Sequence, residues 1–199
     1  MIGIIDYGAG NLRSVKKALD YLGAESEVIS DPAALDSMDK ALLPGVGAFG
    51  AAMQRLAEQR FITPLQRWMA ADRPFLGICL GMQLLFERSE ESTGVAGLGH
   101  FGGTVRAFTQ HKVPQIGWNQ LHQVGDSPLL AAIEDGSYFY FLHGYYVAPD
   151  DPSVVIGTTD YGLRYASVVQ RGRVMGAQFH PEKSADVGLA LLQNWIDRC

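Results

Sequence analysis

Short apolar runs alternate with amphipathic stretches through the first half of the chain. The runs that suit buried strands are residues 2–5, 25–29, 41–43 and 74–78. Between them, apolar residues recur at helical spacing. The helices expected from that spacing are residues 12–22, residues 48–69 with a break near Phe61, and a further helix that begins at residues 82–88. This alternation predicts a mostly parallel central sheet with helices on both faces.

The second half has a different pattern, in which strand-like segments follow one another without long helices. These segments are residues 105–108, 115–122, 138–142, 145–148, 154–159, 165–170 and 174–179. Turn residues lie between several of them, which predicts added antiparallel hairpins. A last helix is expected at residues 184–196, and residues 90–103 are expected to form a surface loop. The predicted fold class is α/β, of the flavodoxin-like kind.

The length and composition suit one ordinary globular domain over residues 1–199. The chain is 47% hydrophobic and 19% charged, and its net charge is −5 from 16 basic and 21 acidic side chains. A chain of this size can bury a core without disulfides or metal. Nucleic-acid binding requires a basic surface, so the acidic balance argues against a nucleic-acid partner.

Cysteine usage and the N-terminal residues bear on location. The cysteines are Cys79, which follows an apolar run, and Cys199. Pairing them would tie an end of the chain into the interior, so a reduced, cytoplasmic setting is the simpler expectation. The first residues resemble neither a signal peptide nor a membrane span, and no later run reaches spanning length. No paired spacing of cysteine and histidine indicates a metal site, and no cofactor is expected.

The segment Gly77-Ile78-Cys79-Leu80-Gly81 lies between a predicted strand and a predicted helix. This is the pattern of a nucleophile elbow with cysteine in place of serine. The flanking glycines suit a sharp turn with little space for side chains, and a helix behind the turn would favour a thiolate. The plainer alternative is that Cys79 is a small buried hydrophobic residue, which is a common fate for a free cysteine.

A thiolate nucleophile needs a proton carrier, and histidine suits that task at neutral pH. Of the five histidines, His180 follows the strand at residues 174–179 directly, and Glu182 lies two residues further on. A carboxylate there can orient the imidazole and stabilise its protonated form. Considered alone, His180 is more simply a histidine in a turn, and the presence of Cys79 favours the catalytic interpretation. The residues His100, His111 and His122 are expected at the surface or in loops.

A glycine-rich loop, residues 43–49, closes the third predicted strand. Backbone N–H groups in such a loop can stabilise the oxyanion of an acyl transfer. The expected donors are Val46 and Leu80, the residue after the nucleophile, and Gly45 and Gly47 would let the peptide between Gly45 and Val46 rotate. Alternatives are a plain connector or a phosphate cradle, although the Lys and Ser/Thr of a P-loop are missing.

Together these segments resemble the class I glutamine amidotransferases across nearly the whole chain. The resemblance implies that Cys79 attacks the side-chain amide of glutamine, forms a glutamyl thioester and releases ammonia, with His180 and Glu182 completing a triad. It also carries glutamine contacts over to six positions: Gly47, Gln83, Glu91, His143, Gly144 and Tyr145. The family usually has Ser or Thr where this chain has Gly144, which would weaken glutamine binding if the hydroxyl makes the contact.

Within this family, residues 4–12 and Gly117-Trp118-Asn119 are similar to the glutaminase subunits that serve histidine biosynthesis. That likeness implies a heterodimer with a cyclase subunit, a (β/α)8 barrel, that receives the ammonia. The contacts it suggests with the partner are Asn11, Trp118, Tyr140 and Lys183. The alternatives are a glutaminase subunit of another amidotransferase, a stand-alone γ-glutamyl hydrolase and a non-enzymatic binding module. The intact set of Cys79, His180 and Glu182 argues against the last of these.

Overall fold

The computed structural model describes residues 1–199, which form helices packed on a mixed sheet. The α-helices are α1 (Leu12–Tyr21), α2 (Phe49–Glu58), α3 (Ile62–Ala70), α4 (Leu80–Gln83) and α5 (Ala185–Arg198). The strands are β1 (Ile2–Ile5), β2 (Ser26–Ile29), β3 (Lys40–Gly45), β4 (Phe75–Cys79), β5 (Phe86–Ser89), β6 (Phe101–Ala107), β7 (Gln115–Gln123), β8 (Ser137–His143), β9 (Tyr145–Pro149), β10 (Val155–Asp160), β11 (Arg164–Arg171) and β12 (Val174–Ala177). None of the helices is long and apolar enough to cross a membrane.

The sheet is parallel at one end and antiparallel at the other. Strands β2, β1, β3, β4 and β12 are neighbours in that order and run parallel. From β12 the sheet continues through β11, β10, β7 and β8 in antiparallel pairs. Strands β5, β6 and β9 form a branch attached to β11. The predicted change from parallel to antiparallel strands between the two halves is confirmed.

Alternate residues of the central strands supply two hydrophobic cores, one on each face of the sheet. In β3, Leu42 belongs to the core that contains α1 and α5, while Leu43 belongs to the core that contains α2 and α3. Strand β4 divides in the same way between Phe75 and Leu76. Side chains of adjacent strand residues point to opposite faces, so a continuous apolar run is what a sheet covered on both sides requires.

The carboxyl ends of three parallel strands meet at one edge. Gly45, which ends β3, is paired in register with Cys79, which ends β4. Ala177 at the end of β12 is paired with Ile78. Open α/β sheets place their sites at this edge, where Cys79 ends β4 and where the segment after β12 carries His180 and Glu182.

One sequence expectation about local structure is wrong, and another holds only in part. The helix expected to begin at residues 82–88 is a single turn, α4, after which the chain enters strand β5. All residues from 81 to 86 are buried, so the apolar spacing reflects a buried connection and not a helix face. The expected surface loop at residues 90–103 is present up to residue 100 with only Leu98 buried, and its last three residues belong to β6.

Candidate active site

Cys79 occupies the strained position of the elbow. Its backbone has φ 55° and ψ −111°, in the region of positive φ that non-glycine residues rarely adopt. The glycines on either side are required by space. A Cβ on Gly77 would lie 2.7 Å from the carbonyl oxygen of Gly81, and a Cβ on Gly81 would lie 1.9 Å from that of Leu43. The sharp turn predicted from the sequence is therefore present, with Cys79 only 5% exposed.

The helix behind the elbow contributes less than the sequence suggested. Because α4 has only four residues, it aligns few peptide dipoles, and little stabilisation of a thiolate is expected from it. The hydrogen-bond partners of the sulfur are a backbone carbonyl and a side-chain amide. Cys79 Sγ lies 3.7 Å from the Leu142 carbonyl oxygen, which can accept the thiol hydrogen, and 3.7 Å from the donor Nε2 of Gln178.

His180 and Glu182 form a buried pair beside Cys79. Nδ1 of His180 lies 2.9 Å from Oε1 of Glu182, and the side chains are 2% and 1% exposed. Nε2 of His180 has no hydrogen-bond partner and is free for chemistry. Burial acts to lower the pKa of His180, but interactions with Cys79 and Glu182 outweigh it and raise the pKa to about 10. Both neighbours therefore favour the protonated form of the His180 ring.

Backbone contacts fix the segment that carries His180. Its N–H donates to the Tyr140 carbonyl oxygen at 2.9 Å, which ties the segment to strand β8. Ser184 completes the attachment, since its hydroxyl donates to the His180 carbonyl at 2.6 Å and accepts from the Tyr140 N–H at 2.9 Å. Strand β8 and the segment from His180 to Ser184 therefore form one hydrogen-bonded unit.

One cleft of about 220 Å³ brings most of the predicted residues together. Its lining residues are Val46, Gly47, Cys79, Leu80, Gln83, Glu91, Leu142, His143, Gly144, Tyr145 and His180. The candidate nucleophile, both candidate oxyanion donors and all six positions assigned to glutamine by resemblance are in this set. Glu182 does not line the cleft and lies behind His180. No group of three or more His, Cys, Asp or Glu side chains is arranged to hold a metal ion.

The glycine-rich loop has one tight and one open glycine. A Cβ on Gly45 would lie 2.8 Å from the backbone nitrogen of Gly81 and 2.9 Å from the hydroxyl of Tyr7. Gly47 has φ +100°, and a Cβ added there would have nothing within 4 Å. Val46 between them is 42% exposed. The loop is therefore closely packed at Gly45, while space remains around Val46 and Gly47.

Gln83 and Glu91 are held by protein groups within the cleft. Nε2 of Gln83 donates to the Tyr145 carbonyl at 3.0 Å and to Oε1 of Gln178 at 3.1 Å, which leaves only the Gln83 carbonyl oxygen for a ligand. Oε2 of Glu91 accepts from the N–H of Phe49 at 2.7 Å, which leaves its other oxygen. The glutamine contact that the resemblance implies for Gln83 would therefore use its carbonyl oxygen and not the NH₂ group.

His143 is a neutral structural residue at the cleft wall. Its Nδ1 lies 2.7 Å from the Tyr145 carbonyl, and its Nε2 lies 3.2 Å from the Tyr165 hydroxyl. Burial lowers the pKa of His143 to about 4, against the effect of the hydrogen bond to Tyr145. Gly144 next to it has space, because an added Cβ would meet nothing closer than Val113 Cγ1 at 3.4 Å.

Three of the four predicted partner contacts lie close together beside the cleft. Trp118 of β7 faces Tyr140 of β8, with ring centroids 6.1 Å apart. The ammonium of Lys183 lies 6.0 Å from the Tyr140 ring, and Trp118 is 53% exposed. Asn11 precedes α1, where its side chain makes no capping hydrogen bond.

Sequence reasoning missed two groups that contact the sulfur, Leu142 and Gln178. The carbonyl of Leu142 leaves no trace in the sequence. Gln178 did leave a signal, because it is a polar residue directly after an apolar strand that is buried on both faces. Its side chain is completely buried, and buried polar groups need partners.

Comparison with known proteins gives consistent similarities. The family model for class I glutamine amidotransferases matches residues 3–199. The chain is 51% identical to the imidazole glycerol phosphate synthase subunit HisH of Desulfitobacterium hafniense (strain DSM 10664 / DCB-2), over 99% of this chain and 95% of that one. It is 48% identical to the protein of the same name from Bacillus cereus (strain G9842), over 98% and 93% of the two chains.

Solved structures share the fold at low sequence identity. A crystal structure of a glutamine amidotransferase superposes with a TM-score of 0.77 at 18% identity, covering 98% of both chains. A chain of PurLQS from Thermotoga maritima superposes with a TM-score of 0.74 at 18% identity, covering 98% of this chain and 97% of that one.

Proposed function

The chain belongs to the class I glutamine amidotransferases, and from that premise we propose that it is the glutaminase subunit of an imidazole glycerol phosphate synthase, in histidine biosynthesis. The resemblance indicated by the sequence motifs is confirmed by the family match over residues 3–199 and by the identity to HisH relatives. We further propose that residues 1–199 act as a single domain. The observation that carries the catalytic assignment is the position of Cys79 and His180 in one cleft, with Glu182 hydrogen-bonded behind the histidine.

The proposed reaction begins with the Cys79 thiolate. The sulfur attacks the side-chain carbonyl carbon of glutamine, and a C–S bond forms as the carbonyl becomes an oxyanion. The N–H groups of Val46 and Leu80 are the proposed donors to that oxygen. The His180 imidazolium gives its Nε2 proton to the departing nitrogen, so the C–N bond breaks and ammonia leaves a glutamyl thioester.

Hydrolysis of the thioester uses the same groups in reverse order. Neutral His180 accepts a proton from water at Nε2, and the hydroxide attacks the thioester carbon. Collapse of the second tetrahedral species breaks the C–S bond, releases glutamate and restores the thiolate–imidazolium pair. Glu182 stabilises the protonated ring at both stages without taking its proton.

The cleft residues are proposed to hold the amino-acid portion of glutamine. The unused oxygen of Glu91 suits the α-ammonium group, while Gly47, Gly144 and Tyr145 contribute lining surface. Gln83 presents only its carbonyl oxygen, which can accept from the ammonium or from the substrate amide. His143 keeps the loop from His143 to Tyr145 in place through its bond to the Tyr145 carbonyl.

A cyclase subunit is the proposed partner, and its docking surface is the exposed face of the β7–β8 hairpin. Alternate residues of the two strands present large apolar side chains to solvent there. The exposed members are Ile116 at 60%, Trp118 at 53%, Tyr138 at 55% and Leu142 at 37%. A contiguous exposed apolar face is typical of an interaction site, and aromatic anchors are enriched in interfaces. Because Leu142 also lines the cleft, this face adjoins the site of ammonia release.

Partner control is proposed to act through the glycine-rich loop. Rotation of the peptide between Gly45 and Val46 would turn an N–H toward or away from the oxyanion. Tight packing around Gly45 fixes one end of this segment, while Gly47 has open space on the side where a Cβ would lie. We therefore expect the chain alone to be a poor glutaminase that a bound cyclase subunit and its nucleotide ligand activate.

The test is a glutaminase assay of the chain alone and with a cyclase subunit, each with and without the nucleotide. The expected result is release of glutamate that rises with the partner and its ligand, and that is lost in Cys79→Ala. The matched control is Cys199→Ala, which removes the other cysteine and retains activity. Strong hydrolysis by the chain alone would favour a stand-alone γ-glutamyl hydrolase, and residual hydrolysis by the Cys79→Ala complex would contradict the triad.

A further inference from the structure

Gln178 is a buried side chain whose polar contacts all concern the cleft. It lies between strand β12 and His180, and it is completely inaccessible to solvent. Its Nε2 lies 3.7 Å from Cys79 Sγ, and its Oε1 accepts from Nε2 of Gln83 at 3.1 Å. Its backbone N–H donates to the Ser167 carbonyl at 2.8 Å, which fixes the start of the side chain.

The chemistry of the neighbours determines which end of the Gln178 amide faces the sulfur. The Tyr145 carbonyl can only accept, so Gln83 must point its NH₂ group toward it. That same NH₂ group faces Gln178, so Gln178 must present its oxygen to Gln83. The NH₂ group of Gln178 is then left toward Cys79. The Tyr145 carbonyl therefore fixes the orientation of the Gln83 amide, and Gln83 in turn orients Gln178 so that it presents a donor to the sulfur.

The Leu142 carbonyl and the Gln178 amide, which each lie 3.7 Å from the sulfur, favour different protonation states of Cys79. The Leu142 carbonyl accepts a hydrogen bond and therefore suits only the thiol. The Gln178 amide donates, and a donor stabilises a thiolate more than a thiol because hydrogen bonds to a charged acceptor are stronger. Loss of the thiol hydrogen removes the bond to Leu142 and strengthens the one to Gln178.

We propose that Gln178 is a positioning residue that holds the sulfur of Cys79 and favours its thiolate through a hydrogen bond from Nε2. This inference rests on the proposed function, in which Cys79 is the nucleophile. The amide is neutral, so its donor is present at every pH and does not depend on the protonation of His180. Because Gln83 joins Gln178 to the Tyr145 carbonyl, the same buried network also links the nucleophile to the loop that lines the glutamine cleft.

The experiment measures alkylation of Cys79 by iodoacetamide against pH, in the complex with the cyclase subunit and in a Cys199→Ala background. Gln178→Glu keeps the size of the side chain but presents a carboxylate to the sulfur. Gln178→Met keeps the volume and removes the donor. We expect Gln178→Glu to raise the pH midpoint of alkylation by at least about one unit, a tenfold loss of thiolate at a fixed pH below the midpoint. Gln178→Met should raise the midpoint by a smaller amount.

Steady-state kinetics separate positioning of the sulfur from binding of glutamine. For Gln178→Glu we expect kcat to fall at least about tenfold while KM for glutamine changes by less than about threefold. The matched control is Gln110→Glu, an exposed loop position, which should leave both the midpoint and kcat unchanged. Folded variants with an unchanged alkylation midpoint would overturn the proposal.

A measurement that needs no substitution at Gln178 keeps the proposal testable if the variants fail to fold. When the glutamine residues of the protein carry ¹⁵N in their side-chain amides, the NMR signals of the Gln178 amide protons should shift when Cys79 titrates and when it is alkylated. An amide that responds to neither event would also overturn the proposal. Alkylation and NMR need no turnover of glutamine, so they remain readable even if the complex proves to lack glutaminase activity.

Discussion

Nδ1 of His180 donates to Oε1 of Glu182 across 2.9 Å, although the two residues are separated by only Pro181 in the chain. The geometry fixes the tautomer of the neutral ring, because a proton on Nδ1 leaves Nε2 as the acceptor on the side of the cleft. It also gives the protonated ring a buried carboxylate as partner. Both effects depend on the same short segment after β12, so its substitution tests orientation and charge together.

Glu182→Gln should lower activity by removing the charge while keeping a side chain of similar size. Burial already acts to lower the pKa of His180, so loss of the carboxylate should move that pKa down from about 10. We expect kcat of the complex to fall by about 10²–10⁴-fold, the range for impaired general acid–base catalysis. The checks are glutaminase kinetics and ¹⁵N NMR titration of the ring.

The control for Glu182→Gln is Glu27→Gln on the exposed surface of β2, which makes the same chemical change away from the cleft. It should alter neither kcat nor the titration of His180. If Glu182→Gln kept normal kcat and the same His180 pKa, the carboxylate would have no part in the proposed triad.

Gly144→Ser should be accepted by the fold and should improve glutamine binding. The added Cβ meets only the Val113 methyl at 3.4 Å and the Pro114 ring at 4.0 Å, which are ordinary contacts. We expect the unfolding free energy to change by less than about 0.5 kcal/mol. A new hydrogen bond to glutamine would be worth about 1 kcal/mol, so KM should fall about fivefold.

Gly144→Ala distinguishes the hydroxyl from the effect of a less flexible backbone. It should fold equally well and leave KM close to that of the unmodified chain. Equal KM values for the Ser and Ala variants would mean that the backbone, and not a hydroxyl, makes the contact at this position.

His143→Gln should reduce the sensitivity of the fold to acid. Burial lowers the pKa of His143 from its ordinary 6.5 to about 4. A group with a depressed pKa in the folded state contributes stability that is fully present above pH 6.5. That contribution is lost progressively as the pH falls from 6.5 through about 4, with a slope of up to about 1.4 kcal/mol per pH unit.

Urea denaturation at several pH values tests this expectation through the slope of stability against pH. His143→Gln should flatten the curve between pH 6.5 and 4, even if it lowers stability at neutral pH by breaking hydrogen bonds. His100, whose pKa burial also lowers to about 4, should contribute a separate part that His100→Gln removes. An unchanged acid slope in His143→Gln would show that the ring is protonated without cost in the folded chain.

Tyr7→Phe should stabilise the protein, because the Tyr7 hydroxyl is buried and has no hydrogen-bond partner. Leaving such a group unpaired costs about 1–3 kcal/mol, so its removal should raise the unfolding free energy by about 1 kcal/mol. The matched variant is Tyr165→Phe, whose hydroxyl donates to Gln115 at 3.0 Å. That change should destabilise, and urea unfolding of both variants gives the comparison. Destabilisation by Tyr7→Phe would reveal a partner for the hydroxyl.

The sequence was sufficient to predict the order of most of the main elements and, through the family resemblance, every residue that lines the cleft except Leu142. Apolar runs identified the parallel strands because a sheet covered on both faces buries every residue of a central strand. Glycines identified the elbow, because the sharp turn leaves no room for a Cβ on Gly77 beside the carbonyl oxygen of Gly81. Features that depend on near neighbours in the chain or on a recurring motif can be predicted in this way.

Features that depend on distant contacts could not be predicted. The apolar residues near Leu85 have helical spacing, but the chain enters strand β5 at Phe86, which pairs with Phe101. The hydrogen bonds of Gln83 could not be predicted for the same reason. Tyr145 and Gln178 approach it from distant parts of the chain and use both of its donors. Competition among tertiary partners for one side chain leaves no pattern in a single sequence.

Strand β8 ends its side of the sheet, and an edge strand exposes unpaired backbone groups on which another chain can add a strand. Here the segment from His180 to Ser184 covers the edge of β8 at Tyr140. The Tyr140 N–H donates to Ser184, and the Tyr140 carbonyl accepts from His180. The contacts that hold His180, the proposed catalytic histidine, thereby also cover part of the exposed edge of β8. We therefore expect any change that loosens this segment to uncover the edge of β8 and to displace His180 at the same time.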